Sequence, residues 1–101
     1  MINTTIKEED GRMVVVLQGS LDTAAVPETE KAVLPLYECE GKDIVFECTD
    51  LTYISSGGLR ILLSVLQDAE KKGLDVFIKG VSDDVRAVFA MTGFVHFFKF
   101  L

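Results

Sequence analysis

The chain has few of the residues that bind metals or build disulfide frameworks. Its 101 residues include only two cysteines and one histidine. Cys39 and Cys48 lie nine residues apart and form no Cys-x-x-Cys pair, and His96 is the single imidazole. We therefore expect reduced, buried or half-buried thiols, with no metal site, no disulfide framework and no bound cofactor.

Basic residues and long apolar runs are also scarce. Ten lysines and arginines stand against 16 acidic residues, which gives a formal net charge of -6. Without a basic run, binding to nucleic acid or attraction to an anionic membrane is disfavoured. No 18-residue apolar run occurs, and the beginning MINTTIKEEDGR resembles no signal peptide. These absences predict a cytoplasmic protein with no membrane insertion, whose partner is another protein.

The segments that are present predict one α/β domain. Hydrophobic residues make up 49% of the chain, enough for one core in a chain of this length. Turn and cap residues separate the apolar segments in the order β-β-α-β-α-β-α-β, with short connections. We expect a single domain over residues 1–101, with a mixed, mostly parallel β-sheet flanked by helices.

Strands are predicted over residues 2–6, 13–17, 43–48 and 74–79 and in the tail, and helices over 27–37, 59–71 and 83–92. The apolar run 13–17 suits a strand that is buried on both faces, and Gly19 is expected to end it. In the first helix Ala32, Val33, Leu36 and Thr29 are the residues expected to be buried. Pro35 should kink or end that helix. In the last helix Met91 is expected to face inward beside Phe89.

Residues 50–66, DLTYISSGGLRILLSVL, are the most informative segment. A strand is expected to end near Asp50, followed by a polar turn and an amphipathic helix. The turn carries Ser55, Ser56, Gly57 and Gly58. The helix repeats apolar residues at the spacing of a buried stripe: Leu59, Leu62, Leu63, Leu66 and Ala69. Either serine can cap this helix, and the amides that the two glycines leave uncovered suit a phosphate. A serine cap followed by glycine is also a common way for a helix to begin in proteins of every function.

The same segment resembles the phosphoacceptor loop of STAS domains, the family of bacterial anti-sigma factor antagonists. The family's usual pattern is Asp-Ser-Ser-Gly-Leu or Asp-(Ser/Thr)-Ser-Gly after a hydrophobic strand. The residues that fit this register are Leu51, Tyr53, Ile54, Ser56, Gly58, Leu59, Leu62 and Leu63. The resemblance implies that Ser56 is the phosphorylation site. Ser55 stands where the family usually has aspartate, and it is the alternative acceptor.

Two further segments extend this resemblance over nearly the whole chain. Residues 17–33 resemble the family's strand-turn-helix entry, Gly-(Glu/Asp)-Leu-Asp. Gly19, Leu21 and Asp22 carry that match, while Ser20 stands where an acidic residue is common. Residues 79–101 resemble the family's closing pattern through Arg86, Phe89, Thr92, Gly93 and Phe94.

The resemblance implies a binding module without catalysis. Such an antagonist docks onto an anti-sigma factor, often a serine/threonine kinase of the histidine-kinase-like ATPase type, and thereby frees a sigma factor for transcription. Phosphorylation of the loop serine by that kinase switches the antagonist off, and a phosphatase is a further candidate partner. The partner-binding surface implied here consists of Ser20, Asp22, Ser55, Gly57, Gly58 and Arg60.

Several alternatives stay open at the level of the sequence. Asp22 is equally well explained as a helix cap, and Arg60 as a solvated helix-face residue rather than a contact to a partner or phosphate. STAS domains also serve, without a phospho-switch, as accessory subunits of transport systems or in stress-sensing complexes. A serine-nucleophile enzyme is disfavoured, because His96 lies forty residues after Ser56 and no Gly-x-Ser-x-Gly elbow is present.

Overall fold

The computed structural model describes residues 2–39 and 41–101. The strands are β1 (Ile2–Glu9), β2 (Arg12–Leu21), β3 (Ile44–Ile54), β4 (Val76–Lys79) and β5 (Lys99–Phe100). The helices are α1 (Val26–Ala32), α2 (Leu34–Glu38), α3 (Ser56–Lys71) and α4 (Asp83–Thr92), with short 3-10 turns at Thr23–Ala25 and Phe94–His96. None of the helices in the described ranges is long and apolar enough to cross a membrane. The predicted order of elements is confirmed, with the first helix divided in two.

The sheet has five strands in the order β1-β2-β3-β4-β5. β1 and β2 are antiparallel and are joined by Asp10 and Gly11, both at positive φ (54° and 76°). Positive φ at both central residues is the geometry of a type I′ turn, which matches the twist of a hairpin. The other strand pairs are parallel, because each connection crosses through helix. The mixed, mostly parallel sheet is therefore confirmed.

The main core lies on one face of the sheet. Side chains alternate along each strand, and Val15, Leu17, Phe46 and Ile78 are fully buried in one apolar cluster. The buried apolar residues of α2, α3 and α4 belong to that same cluster. Val14 and Val45 are buried outside it, on the other face. β2 thus has buried residues on both faces, as its apolar run predicts.

β2 and β3 both extend beyond their predicted ends. Gly19 does not end β2, because the strand continues to Leu21. Gly19 instead lies where the register between β2 and β3 shifts, and its φ is 102°. Glycine adopts this positive φ without strain, so the residue allows a β-bulge within the strand. β3 also passes Asp50 and ends at Ile54. Exposed polar side chains at Asp50 and Thr52 make this part of the strand look like a turn in the sequence.

The predicted effect of Pro35 is confirmed by the division between α1 and α2. Pro35 lies in the first turn of α2, where a missing amide costs no helical hydrogen bond. Thr29, Val33 and Leu36 are buried as expected, whereas Ala32 is only half-buried.

Lys72, the C-cap residue of α3, holds the end of α2 in place. The Nζ atom of Lys72 donates to the carbonyl oxygens of Tyr37 (2.7 Å) and Cys39 (3.1 Å). The same ammonium group lies 2.9 Å from a carboxylate oxygen of Asp68. One side chain therefore satisfies carbonyls at the end of α2 and connects them to α3.

The C-terminal segment packs through Phe89 and not through Met91. Phe89 is fully buried, and its ring contacts Phe98 and Phe100 edge to face at centroid distances of 5.7 and 5.6 Å. Met91 is 86% exposed, so its predicted inward orientation is wrong. It falls two residues from Phe89 and hence on the opposite side of α4. The predicted final strand shortens to Lys99–Phe100, which pairs with β4.

Both cysteines are free thiols, as expected. Cys48 is fully buried and Cys39 is half-buried. Burial, with a smaller contribution from the neighbouring Glu47 carboxylate, raises the pKa of the Cys48 thiol to about 12. The reactive thiolate form is therefore strongly disfavoured at Cys48 near neutral pH.

Replacement of Phe89 tests how the C-terminal segment is held. Phe89→Leu should lower the free energy of unfolding by about 1–2 kcal/mol, because it removes two edge-to-face contacts and leaves space in the core. Met91→Leu is the matched control on the same helix and should change stability by less than about 0.5 kcal/mol. Urea unfolding of the two variants would measure the difference, and equal stability would contradict the described packing.

Candidate functional site

β3 leads into α3 through a single residue. Ile54 is the last residue of β3, Ser56 is the first of α3, and only Ser55 lies between them. The predicted four-residue turn is therefore wrong, because Ser56, Gly57 and Gly58 already belong to the first turn of the helix. A serine cap lets a strand turn into a helix without a loop.

Ser55 is the N-cap of α3. Its backbone is extended (φ -88°, ψ 170°), and its Oγ atom accepts a hydrogen bond from the Gly58 amide at 3.1 Å. Its carbonyl accepts from the Leu59 amide, and its own amide donates to the carbonyl of Leu21, both at 2.9 Å. The side chain is only 7% exposed. The sequence left open which of the two serines caps α3. The structure identifies Ser55 as the cap.

Ser56 has the opposite environment. It is the first residue of α3 and is exposed to solvent. Among the side-chain hydrogen bonds of residues 2–39 and 41–101, none involves its hydroxyl. A hydroxyl in this position is accessible to a modifying enzyme, and the first amides of a helix favour negative charge beside them.

Gly58 is required by close packing and not by an unusual backbone conformation. A Cβ atom at this position would lie 2.7 Å from Cγ of Leu21 and 3.0 Å from Cγ1 of Ile54. These two residues are the last of β2 and β3 and are paired in the sheet. The absence of a side chain at Gly58 therefore lets α3 begin directly against the ends of both strands.

The end of β2 brings Ser20 and Asp22 to the same edge of the sheet as Ser55 and Ser56. The Oδ1 atom of Asp22 accepts a hydrogen bond from the Ala25 amide at 2.9 Å and caps the 3-10 turn that follows. The interpretation of Asp22 as a cap is thus confirmed, and its contact with a partner stays a prediction. Both Ser20 and Asp22 are half-buried.

Tyr53 was not predicted as a site residue from the sequence. Its backbone lies opposite Ser20 in the β2–β3 register, and the residue is 50% exposed two positions before Ser55. The sequence contains a usable signal for it, because an aromatic residue beside polar neighbours at a strand end is common in binding surfaces.

A groove lined by Gly57, the residue after Ser56, is the other feature that the sequence did not reveal. It has a volume of about 280 Å³ and lies between α3 and the pair α1–α2. The residues that line it are Val26, Glu30, Val33, Leu34, Tyr37, Gly57, Arg60, Ile61 and Ser64. Burial, together with the carboxylates of Asp68 and Glu30, raises the pKa of the Tyr37 hydroxyl, so the tyrosine is neutral here. Arg60 and Glu30 are the charged residues among those lining the groove.

The predicted site residues thus lie near one another, although Ser55 and Gly58 among them are buried. Ser20, Asp22, Ser55, Gly57 and Gly58 surround the β3–α3 junction, and Arg60 extends it one turn along α3. His96 lies in the 3-10 turn after α4, and within the described ranges neither serine has a hydrogen bond to it. The same ranges contain no group of three or more His, Cys, Asp or Glu residues placed to hold a metal ion.

Replacement of Gly58 tests the close approach of α3 to the strands. Gly58→Ala should lower the free energy of unfolding by about 1–2 kcal/mol, because the added methyl group displaces Leu21 at a cost greater than the gain in helix propensity. Gly57→Ala is the control, since its Cβ atom would meet one methyl group of Val26 at 3.0 Å and otherwise only Oγ of Ser55, at an ordinary contact distance of 3.8 Å. Thermal unfolding should show Gly57→Ala unchanged or slightly stabilised, and a greater loss there would refute the assignment.

The two serines are expected to differ in their effect on stability. Ser55→Ala removes the cap of α3 and should lower the free energy of unfolding by about 1 kcal/mol. Ser56→Ala removes an exposed hydroxyl that has no hydrogen bond to residues 2–39 or 41–101, and it should change the free energy of unfolding by less than about 0.5 kcal/mol. Chemical denaturation of the pair measures this difference, and a reversed order would mean that Ser56 is the cap.

Comparisons with known proteins agree with this geometry. The family model described as "STAS domain" matches residues 3–101. The anti-sigma-B factor antagonist of Staphylococcus aureus (strain NCTC 8325 / PS 47) is 28% identical over 92 residues, covering 91% of this chain and 85% of the relative.

Two solved structures share the fold. One is an anti-sigma factor antagonist from Mycobacterium paratuberculosis, with a TM-score of 0.84 and 23% identity over 99% of this chain and 85% of the other. The second is the Bacillus cell fate determinant SpoIIAA in its phosphorylated form, with a TM-score of 0.73 and 18% identity over 98% of this chain and 91% of the other. Because the family model spans almost the whole sequence, this protein belongs to the STAS domain family.

Proposed function

We propose that this protein is an anti-sigma factor antagonist that binds its anti-sigma factor while Ser56 is unmodified and loses that binding when Ser56 is phosphorylated. The observation that carries the proposal is the contrast between an exposed Ser56 and a buried, hydrogen-bonded Ser55 at the start of α3. The Staphylococcus aureus relative, named an anti-sigma-B factor antagonist, and the phosphorylated form of SpoIIAA support it. These relatives are named as regulators and not as enzymes.

Ser56 is the better acceptor for steric and chemical reasons. Transfer of a phosphoryl group forms a bond from the serine Oγ atom to the γ-phosphorus of ATP, releases ADP and passes the hydroxyl proton to a base of the kinase. The reacting hydroxyl must therefore reach the kinase and the ATP. Ser56 is exposed, whereas modification of Ser55 would first require the α3 cap to open.

The phosphate changes the charge of the partner-binding surface. It adds about -1.5 to -2 at neutral pH to a surface that otherwise carries the hydroxyls of Ser20 and Tyr53, the carboxylate of Asp22 and the guanidinium of Arg60. The start of α3 tolerates the added charge, because the helix dipole and free amides favour an anion there. The protein therefore keeps its fold, and the effect falls on an acidic or closely packed partner surface.

The residues of the proposed surface divide into two groups. Ser55 and Gly58 are buried and act by holding Ser56 in position. Ser20, Asp22, Gly57 and Arg60 retain accessible surface and are the residues that a partner contacts.

The partner in this proposal is a cytoplasmic anti-sigma factor that is also a serine/threonine kinase of the histidine-kinase-like ATPase type. It brings the ATP, so this chain needs no cofactor of its own. A phosphatase would restore the binding form. The formal net charge of -6 favours such a protein partner over nucleic acid.

The proposal is tested by incubation with the candidate anti-sigma kinase and ATP, followed by intact-protein mass spectrometry and site mapping. We expect one added phosphate on Ser56, its loss in Ser56→Ala, and release of the modified protein from the kinase in size-exclusion chromatography. Ser64→Ala is the matched control, since Ser64 is also an exposed serine on α3 and should not affect the modification.

Other outcomes have distinct meanings. Phosphate on Ser55 would overturn the assignment of the acceptor. Binding to the kinase that persists in the presence of ATP, with no phosphate added to this chain, would overturn the switch and favour a constitutive accessory role, of the kind that STAS domains have in transport or stress-sensing complexes.

A further inference from the structure

Arg60 differs from the other two arginines of the chain. The guanidinium group of Arg12 lies 4.8 Å from the centroid of the Phe77 ring, and that of Arg86 lies 4.5 Å from the Phe100 ring. Within the described ranges Arg60 has neither an aromatic partner nor an ion pair, and it is exposed. Its charge is thus available for a contact that the unmodified chain does not make.

The position of Arg60 places this charge within reach of Ser56. The two residues are four positions apart on α3 and therefore lie on the same face of the helix, with Cβ atoms about 5–6 Å apart. Long helical side chains lean toward the N-terminus of their helix, which here is the end that begins with Ser56. An acidic group followed four residues later by a basic one is also the favourable orientation for a helical ion pair.

The same arginine lines the groove between α3 and α1–α2. Arg60 is the single cation and Glu30 the single anion among the described residues that line this groove. The remaining lining is mostly apolar, with Val26, Val33 and Leu34 on the side of α1–α2. A change in the position or charge of Arg60 therefore alters the electrostatics of the groove as well as those of the serine.

We propose that Arg60 binds the phosphate on Ser56 within the same chain, as an ion pair across the first turn of α3, and that this pairing withdraws the cation from the groove. The inference rests on the proposed modification of Ser56. The planar guanidinium can donate two parallel hydrogen bonds to phosphate oxygens. Modification then has two effects on a bound partner: it adds negative charge at Ser56 and it neutralises the arginine that faces the partner's acidic side chains.

The ion pair can be measured without any kinase. Phosphoserine is introduced at position 56 by genetic encoding, and its second ionisation is followed by phosphorus NMR in a pH titration around its ordinary pKa of about 6. A nearby cation favours the dianion, so the pKa should be lower with Arg60 than in Arg60→Gln, by about 0.3–0.7 of a pH unit. The difference should shrink in about 1 M salt.

Two further variants serve as controls. Lys71→Gln removes an exposed cation at the far end of α3 and should leave the pKa of the phosphate unchanged. Arg60→Lys keeps the charge but not the two parallel donors, so it should restore only part of the shift. Arg60 is exposed, so circular dichroism of all variants should show an unchanged fold.

The proposal would be overturned if the second pKa of the phosphoserine were the same with Arg60 present as in Arg60→Gln. It would also be overturned if Lys71→Gln changed that pKa as much as Arg60→Gln does. This result is independent of the proposed function. A failure of every kinase to modify Ser56 would leave the NMR result intact, and efficient modification with no difference in pKa would remove only the role of Arg60.

Discussion

The contact of Gly58 with Leu21 and Ile54 is the constraint on which the arrangement of the site depends. With no side chain at this position, the first turn of α3 packs directly against the last residues of β2 and β3. The Ser55 amide can then reach the Leu21 carbonyl, and the Ser55 hydroxyl can reach the Gly58 amide. The next residue, Ser56, is left exposed at the start of α3. A packing requirement in the core therefore determines which hydroxyl is accessible.

The parts of the fold that follow from local pattern were predictable from the sequence. Apolar spacing located α3 and its exposed face, and Gly73 and Gly93 mark the ends of α3 and α4 with positive φ. Ile61 and Val65 were missed as buried residues of α3. A single stripe describes a helix that packs on one neighbour. α3 shares the core cluster with the strands and also packs against α1–α2, so its buried face is wider.

Features that depend on tertiary contacts were not predictable in the same way. The continuation of β3 to Ile54 depends on its pairing with β2. The local sequence does not indicate this pairing, because the polar residues Asp50 and Thr52 resemble those of a turn. One wall of the groove depends on the break before Pro35 and on Lys72, which holds the end of α2 from more than thirty residues away. The sequence could place Ser56 and Arg60 on one helix, but it could not show the groove that Arg60 lines.

The direct passage from β3 into α3 also limits how Ser56 can be recognised. Many modifying enzymes bind a flexible, extended segment and read its residues in order, but here the serine already has a helical backbone, and its neighbours on the surface come from β2 and α1 as well as α3. An enzyme acting on Ser56 must recognise a shape assembled from separate parts of the chain. A short peptide with the sequence of residues 50–66 lacks that shape. Unfolding of the domain would therefore remove the recognition surface even though the serine and its neighbours in sequence remain intact.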